Sequence, residues 1–79
     1  MFFVYVLRSD KDNHRYIGFS DNVERRLSEH HAGQVDATRH RRPLKLIYTE
    51  EFATKHEAMK REKFFKSHKG RDFLDSIGK

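Results

Sequence analysis

The sequence has no cysteine. That absence removes disulfide bonds, cysteine-ligated zinc and thiol nucleophiles together, and it is compatible with a reducing compartment. No apolar run approaches the roughly 20 residues that a membrane span needs. Met1 leads directly into Phe2-Phe3-Val4, not into a charged segment followed by the apolar core of a signal peptide. The expectation is a cytoplasmic protein that makes no use of a membrane. Repeats, linkers and low-complexity stretches are also missing. With 79 residues there is no room for a second core, so residues 1–79 are expected to form one domain whose stability rests on a few buried side chains.

Acid is scarce in two stretches. The chain carries seventeen Lys and Arg against twelve Asp and Glu, a formal net charge of +5. Residues 39–45 hold Arg39, Arg41, Arg42 and Lys45 with no acid, and residues 54–71 hold seven bases against Glu57 and Glu62. Two concentrated basic segments on a small domain are the footprint of a phosphate-backbone binder. A lysine-rich helix alone would read equally well as solvated surface. The arginine-rich segment favours nucleic acid, because the guanidinium fork matches a phosphate.

Local patterns divide the chain into six elements. Phe2 to Leu7 is uninterrupted apolar and aromatic, which predicts a strand buried on both faces. Asp10 to Asn13 is a polar turn, and Arg15 to Ser20 alternates as a second strand. If the loop covers about residues 8–13, position 5 pairs near position 16, which puts Tyr5 and Tyr16 on one face. Asp21, with Glu24 three residues on, predicts a capping box opening a helix that runs to about Ala32 and stops at Gly33. On its wheel Val23, Leu27 and His30 share a stripe, Arg26 lies at the margin and Arg25 points away. Arg26 and His30, at i and i+4, look across the same edge. For Arg26 alone, a surface salt bridge is the plainer explanation.

Residues 33–43 read as a loop, and Leu44 to Glu50 as a third strand with Leu44, Leu46 and Tyr48 on one face. Thr54 and Glu57 form a second capping box, opening a helix to about His68 that Gly70 ends. Arg71 to Ile77 follow as a short terminal helix. The apolar stripe of the second helix is Ala58, Met59 and Phe65, and Glu62 falls near its middle. An acid there must be paired, protonated or bound to a metal, because burying a free carboxylate is too costly. A structural ion pair, with Arg26 for example, is the plainer of those explanations.

The candidates for chemistry are Tyr5, Tyr16, Arg26, His30 and Glu62. Phosphodiester hydrolysis needs a base for water, charge to stabilise the transition state, a metal or acid at the leaving oxygen, and alignment. A lone carboxylate suits a hard cation such as Mg²⁺, which keeps most of its own waters.

These residues resemble the GIY-YIG nuclease family. Phe3-Val4-Tyr5 stands where the first triplet falls, and Tyr16-Ile17-Gly18 matches the second. Arg26 follows Tyr16 at the family spacing, His30 matches a histidine carried by several members, and Glu62 matches the metal-binding acid. Arg41-Arg42-Pro43 is similar to the small stand-alone bacterial branch, and the whole is similar to the N-terminal nuclease domain of the excinuclease C subunit. The resemblance implies an α/β (α+β) fold of order β-β-α-β-α-(α), a three-stranded antiparallel sheet flanked by helices. It implies DNA cleavage dependent on Mg²⁺ or Mn²⁺, with Tyr5 or Tyr16 helping to activate water, Arg26 stabilising the transition state and Glu62 holding the ion. The expected substrate is DNA in branched, damaged or single-stranded form, its phosphates met by Arg39, Arg41, Arg42, Lys45 and Lys66. Three positions depart from the pattern. Phe3 replaces the first glycine, Phe19 stands where repair members carry lysine, and no asparagine matches after Ser67. A non-catalytic nucleic-acid-binding module and a partner-dependent scaffold are the alternatives. Zinc is disfavoured, because His30-His31 and His40 lack a ligand spacing and neighbouring helical residues cannot face one ion. His14, His56 and His68 are expected at the surface.

Overall fold

The first strand lies in the middle of the sheet. In the computed structural model, which describes all 79 residues, β1 (Phe2–Ser9) pairs antiparallel with β2 (Arg15–Ser20) and with β3 (Leu44–Phe52), in the order β2-β1-β3. The central position explains the uninterrupted apolar run, since both faces of β1 are covered. Val4 and Val6 pack with Ile17 against Ala58, Phe65 and Leu74 of α2 (Lys55–Phe65) and α3 (His68–Ser76). On the other face Tyr5 and Leu7 pack with Leu44, Tyr16, Val23 and Leu27, the last two from α1 (Val23–His31). The result is the expected three-stranded antiparallel sheet between two helical layers. No helix is long and apolar enough to cross a membrane.

Several local expectations are corrected. Tyr5 pairs with Gly18, and Tyr16 pairs with Leu7. The register is thus two residues from the expected one, and because side chains alternate with period two the tyrosines still share a face. In β3 a bulge changes the pairing from Val6↔Tyr48 to Leu7↔Leu46. Leu44 therefore joins the Tyr5 side while Tyr48 joins the opposite core, so the expected single face of Leu44, Leu46 and Tyr48 is split. Asn22, not Asp21, caps α1, its side chain accepting from the Arg25 N–H at 3.0 Å. Met59 is 46% exposed and not part of the core stripe.

The larger correction concerns Gly70. Thr54 caps α2 as expected, but the helix stops at Phe65. Ser67 then caps α3, its hydroxyl accepting from the Gly70 N–H at 3.2 Å. Gly70 begins the next helix instead of ending the last one. A Cβ placed there would sit inside the contact radii of the Phe64 carbonyl oxygen and the Phe65 Cα. The position is a close approach of two backbones, which lets α3 fold tightly back on α2.

Residues 33–43 are more built than a loop. Val35 and Thr38 are buried, Arg39–Arg41 form one 3-10 turn, and the Ser9 hydroxyl donates to the Arg41 carbonyl at 2.6 Å. We expect Gly70→Ala to lower unfolding stability by about 1–3 kcal/mol through overpacking. Urea denaturation checks this, and an unchanged midpoint would contradict the close approach.

Candidate active site

The site is assembled at the middle of β1. Because Gly18 lies directly opposite Tyr5, the phenol ring crosses the space a side chain would fill; a Cβ on Gly18 would lie 2.5 Å from both Tyr5 Cζ and Oη. The glycine of the second triplet is thus the floor under the tyrosine of the first. Tyr16, two residues earlier on the same face, brings its ring centroid to 6.4 Å from that of Tyr5. His30 comes down from α1 and packs edge-on to both rings, at 5.7 Å and 5.1 Å.

His30 is fully buried and both ring nitrogens are bonded. Nε2 meets Tyr5 Oη at 2.9 Å, and Nδ1 meets Thr38 Oγ1 at 2.7 Å. Burial pushes the imidazole down to about 4, with the nearby Arg26 charge acting in the same direction and Glu29 opposing it. His30 is therefore neutral near pH 7. Burial also pushes the Tyr5 phenol up from its ordinary value; Arg26 opposes this, while Tyr16 and Glu62 add to it. Tyr5 stays protonated at neutral pH.

Arg26 is half-buried and its Nη1 donates to Glu29 at 2.9 Å. The salt bridge considered from the sequence does exist, within the same helix, and it holds the guanidinium beside Tyr5. Glu62 arrives from the opposite helical layer. Its side chain is 21% exposed, and its ion-pair partner is Lys66 at 3.6 Å, one turn on, rather than Arg26. Tyr5, Tyr16, His30 and Arg26 thus lie together, and Glu62, from the other helical layer, reaches Tyr5 only as a weak charge effect.

The basic residues are more divided. Arg41 donates to Asp12 at 3.2 Å and to the Arg15 carbonyl, and Arg42 donates to the carbonyls of Arg39 and His31. Both guanidiniums hold the 33–43 segment in place. Arg39 and Lys45 are exposed and only loosely paired, with Asp36 at 3.7 Å and Asp10 at 3.8 Å. Thr38 was not identified from the sequence. It sits in a segment without periodicity, and only the folded loop carries it to His30. Glu29 was equally unremarked, though its i+3 spacing from Arg26 is a readable signal.

A strand order with the tyrosines on the central and edge strands, facing a helix that presents Arg26 and His30, defines a domain of the GIY-YIG nuclease fold. The chain belongs to that family: the family model of the GIY-YIG catalytic domain matches residues 1–74. It is similar to a UPF0213 protein of Staphylococcus haemolyticus, 46% identical over 61 residues, 76% of this chain and 73% of that one. A UPF0213 protein of Natronomonas pharaonis is 48% identical over 66 residues, covering 82% of this chain and 76% of the relative. The solution NMR structure of a UPF0213 protein from Bacillus halodurans aligns with a TM-score of 0.59 at 35% identity, covering 99% of this chain and 86% of that one.

The histidine makes stability depend on pH. Its folded value of about 4 lies below the ordinary 6.5, so the unfolded chain binds the extra proton. Stability is full above pH 6.5 and falls as the pH drops toward 4, by at most about 1.4 kcal/mol per pH unit. Urea midpoints across that window, with His30→Asn as the control that flattens them, check the sign. Gly18→Ala should displace the Tyr5 ring and return the His30 titration, followed by NMR, toward 6.5. A titration still near 4 would show that Tyr5 does not need the bare glycine.

Proposed function

We propose that the protein is a divalent-metal-dependent endonuclease that hydrolyses DNA phosphodiester bonds with little sequence specificity. The observation that carries this is the bonded chain from Tyr5 Oη to neutral His30, set beside Arg26 and Glu62. A phenol that keeps its proton is a poor base by itself. Bonded to a neutral imidazole, it can take a proton from an attacking water while passing its own to His30 Nε2. Thr38 then fixes the tautomer by accepting from Nδ1–H. The new P–O bond forms as the P–O bond to the leaving oxygen breaks, the leaving oxygen keeps the bonding pair and takes a proton from solvent, and Arg26 faces the extra negative charge on the phosphorus oxygens. Tyr16, packed edge-on to His30, keeps the imidazole aligned with Tyr5.

The residues present fit a hydrated hard cation. No group of three or more His, Asp or Glu could cage an ion, and the available donor is the single carboxylate of Glu62. One carboxylate with water filling the remaining positions is the usual arrangement for Mg²⁺ and serves Mn²⁺ as well. Bound there, the ion would neutralise phosphate charge and lower the pKa of a coordinated water. Lys66, the present partner of Glu62, is 56% exposed and free to swing away to a DNA phosphate. Arg39 and Lys45 extend the phosphate contacts, and Arg41 and Arg42 contribute while holding their loop. A domain this small offers phosphates more surface than base edges, which favours recognition of branched, damaged or single-stranded DNA over a long sequence.

Nicking of supercoiled plasmid with Mg²⁺ or Mn²⁺ tests the reading. Glu62→Ala and Arg26→Ala should each slow it by about 10²-fold or more at unchanged thermal stability. A wild type that binds DNA in a salt-sensitive way but never nicks is instead a binding module. One that neither nicks nor binds is a scaffold that depends on a partner.

A further inference from the structure

We infer that a second site on this molecule, a groove at the end of β1 and β2 closed by the α2–α3 turn, holds a backbone phosphate of the DNA strand beside the catalytic cluster. The inference deepens the nuclease reading and rests on it for the identity of the ligand. The groove encloses about 750 Å³, and Arg8, Arg15, Lys66 and Arg71 line it with Asp75 as the sole acid. Tyr16 forms part of its wall, and Lys66, which also lines it, is the ion-pair partner of Glu62.

Three features separate this groove from ordinary basic surface. Arg8 and Arg15 are directly opposite each other across the hairpin, and Lys45 is opposite Arg8 on the other side, giving a row of cations across all three strands. Like charges in direct cross-strand register are unfavourable and need a shared anion or acceptor to offset them. Within the chain the offsetting oxygens come from Lys79, the last residue of the sequence, whose oxygen accepts from Arg8 at 2.6 Å and from Arg15 at 2.8 Å, and from the Asp75 carboxylate bonded to Arg15. The Arg8 Nε–H is buried without an acceptor, and the Arg71 guanidinium has no hydrogen-bond or ion-pair partner. A phosphodiester brings two non-bridging oxygens, and an arginine fork binds such a pair in one plane. The Asp75 carboxylate stands in the position of a competing anion, resting on the cations that the phosphate would use.

This arrangement predicts effects of opposite sign from neighbouring residues. The protein in EDTA, where no cleavage occurs, is titrated with a fluorescein-labelled DNA duplex over a range of salt. Arg71→Ala should weaken binding and reduce the slope of log K against log salt by about 1, relative to Lys60→Ala on the exposed side of α2. Asp75→Asn should tighten binding more than Glu51→Gln, which removes the same charge from an exposed, unpaired site on β3. Arg71 and Asp75 are both exposed, so these variants leave the core intact. If Arg71→Ala matches Lys60→Ala and Asp75→Asn matches Glu51→Gln, the groove holds no phosphate and Arg8 and Arg15 only fasten α3 to the sheet. Because binding is read without metal, this failure is distinct from a failure to nick.

Discussion

The buried bond between Tyr5 Oη and His30 Nε2 ties the central strand to α1, and most of the structure can be understood as what that bond requires. A buried imidazole with an unpaired nitrogen would cost about 1–3 kcal/mol. Tyr5 satisfies one nitrogen and Thr38 the other. Thr38 can reach it only because the 33–43 segment is fastened by Ser9, Arg41 and Arg42. Tyr5 in turn can lie flat only over a residue without a side chain, which is Gly18. A loop, a turn and a strand pairing are thus fixed by one polar contact. The same burial that makes the contact necessary keeps His30 neutral and Tyr5 protonated near pH 7.

The second constraint is that the sheet has helices on both faces, with its acid and its arginine on opposite layers. Arg26 belongs to the α1 layer and Glu62 to the α2 layer. Both charges act on Tyr5 in opposite directions, Arg26 lowering its proton affinity and Glu62 raising it slightly, while burial is the largest effect and keeps the phenol above its ordinary value.

Which parts were legible follows from which forces were local. Arg26 and Glu62 stood out because helical periodicity is fixed by backbone geometry, and a charge within or beside an apolar stripe needs a reason. The shared face of the tyrosines survived a register that differed by two, because side-chain direction has period two. The bulge in β3 and the role of Gly70 were not legible, since both depend on how elements meet rather than on what each prefers. Gly70 carries the ordinary signal of a helix end, and in the fold it answers to the backbone of Phe64 and Phe65 instead. Thr38 belongs to the same class: nothing in its neighbours marks it until the loop closes on His30.

The surplus of positive charge also divides along this line. Net charge describes a long-range field, which steers a polyanion, but not which cations remain available once the chain has folded. Arg41 and Arg42, the most suggestive pair in the sequence, are largely occupied with carbonyls and Asp12. Arg61 is bonded to Glu50 and stacked on Phe64, Phe65 and Phe73, a core pillar rather than a ligand. Arg71, one of seven bases in a lysine-rich stretch, is left without a partner at the mouth of a groove that reaches Tyr16. A small domain has few residues to spare for binding alone. Arg8 and Arg15 show the same economy, since their direct cross-strand opposition costs stability that the oxygens of Lys79 and Asp75 offset.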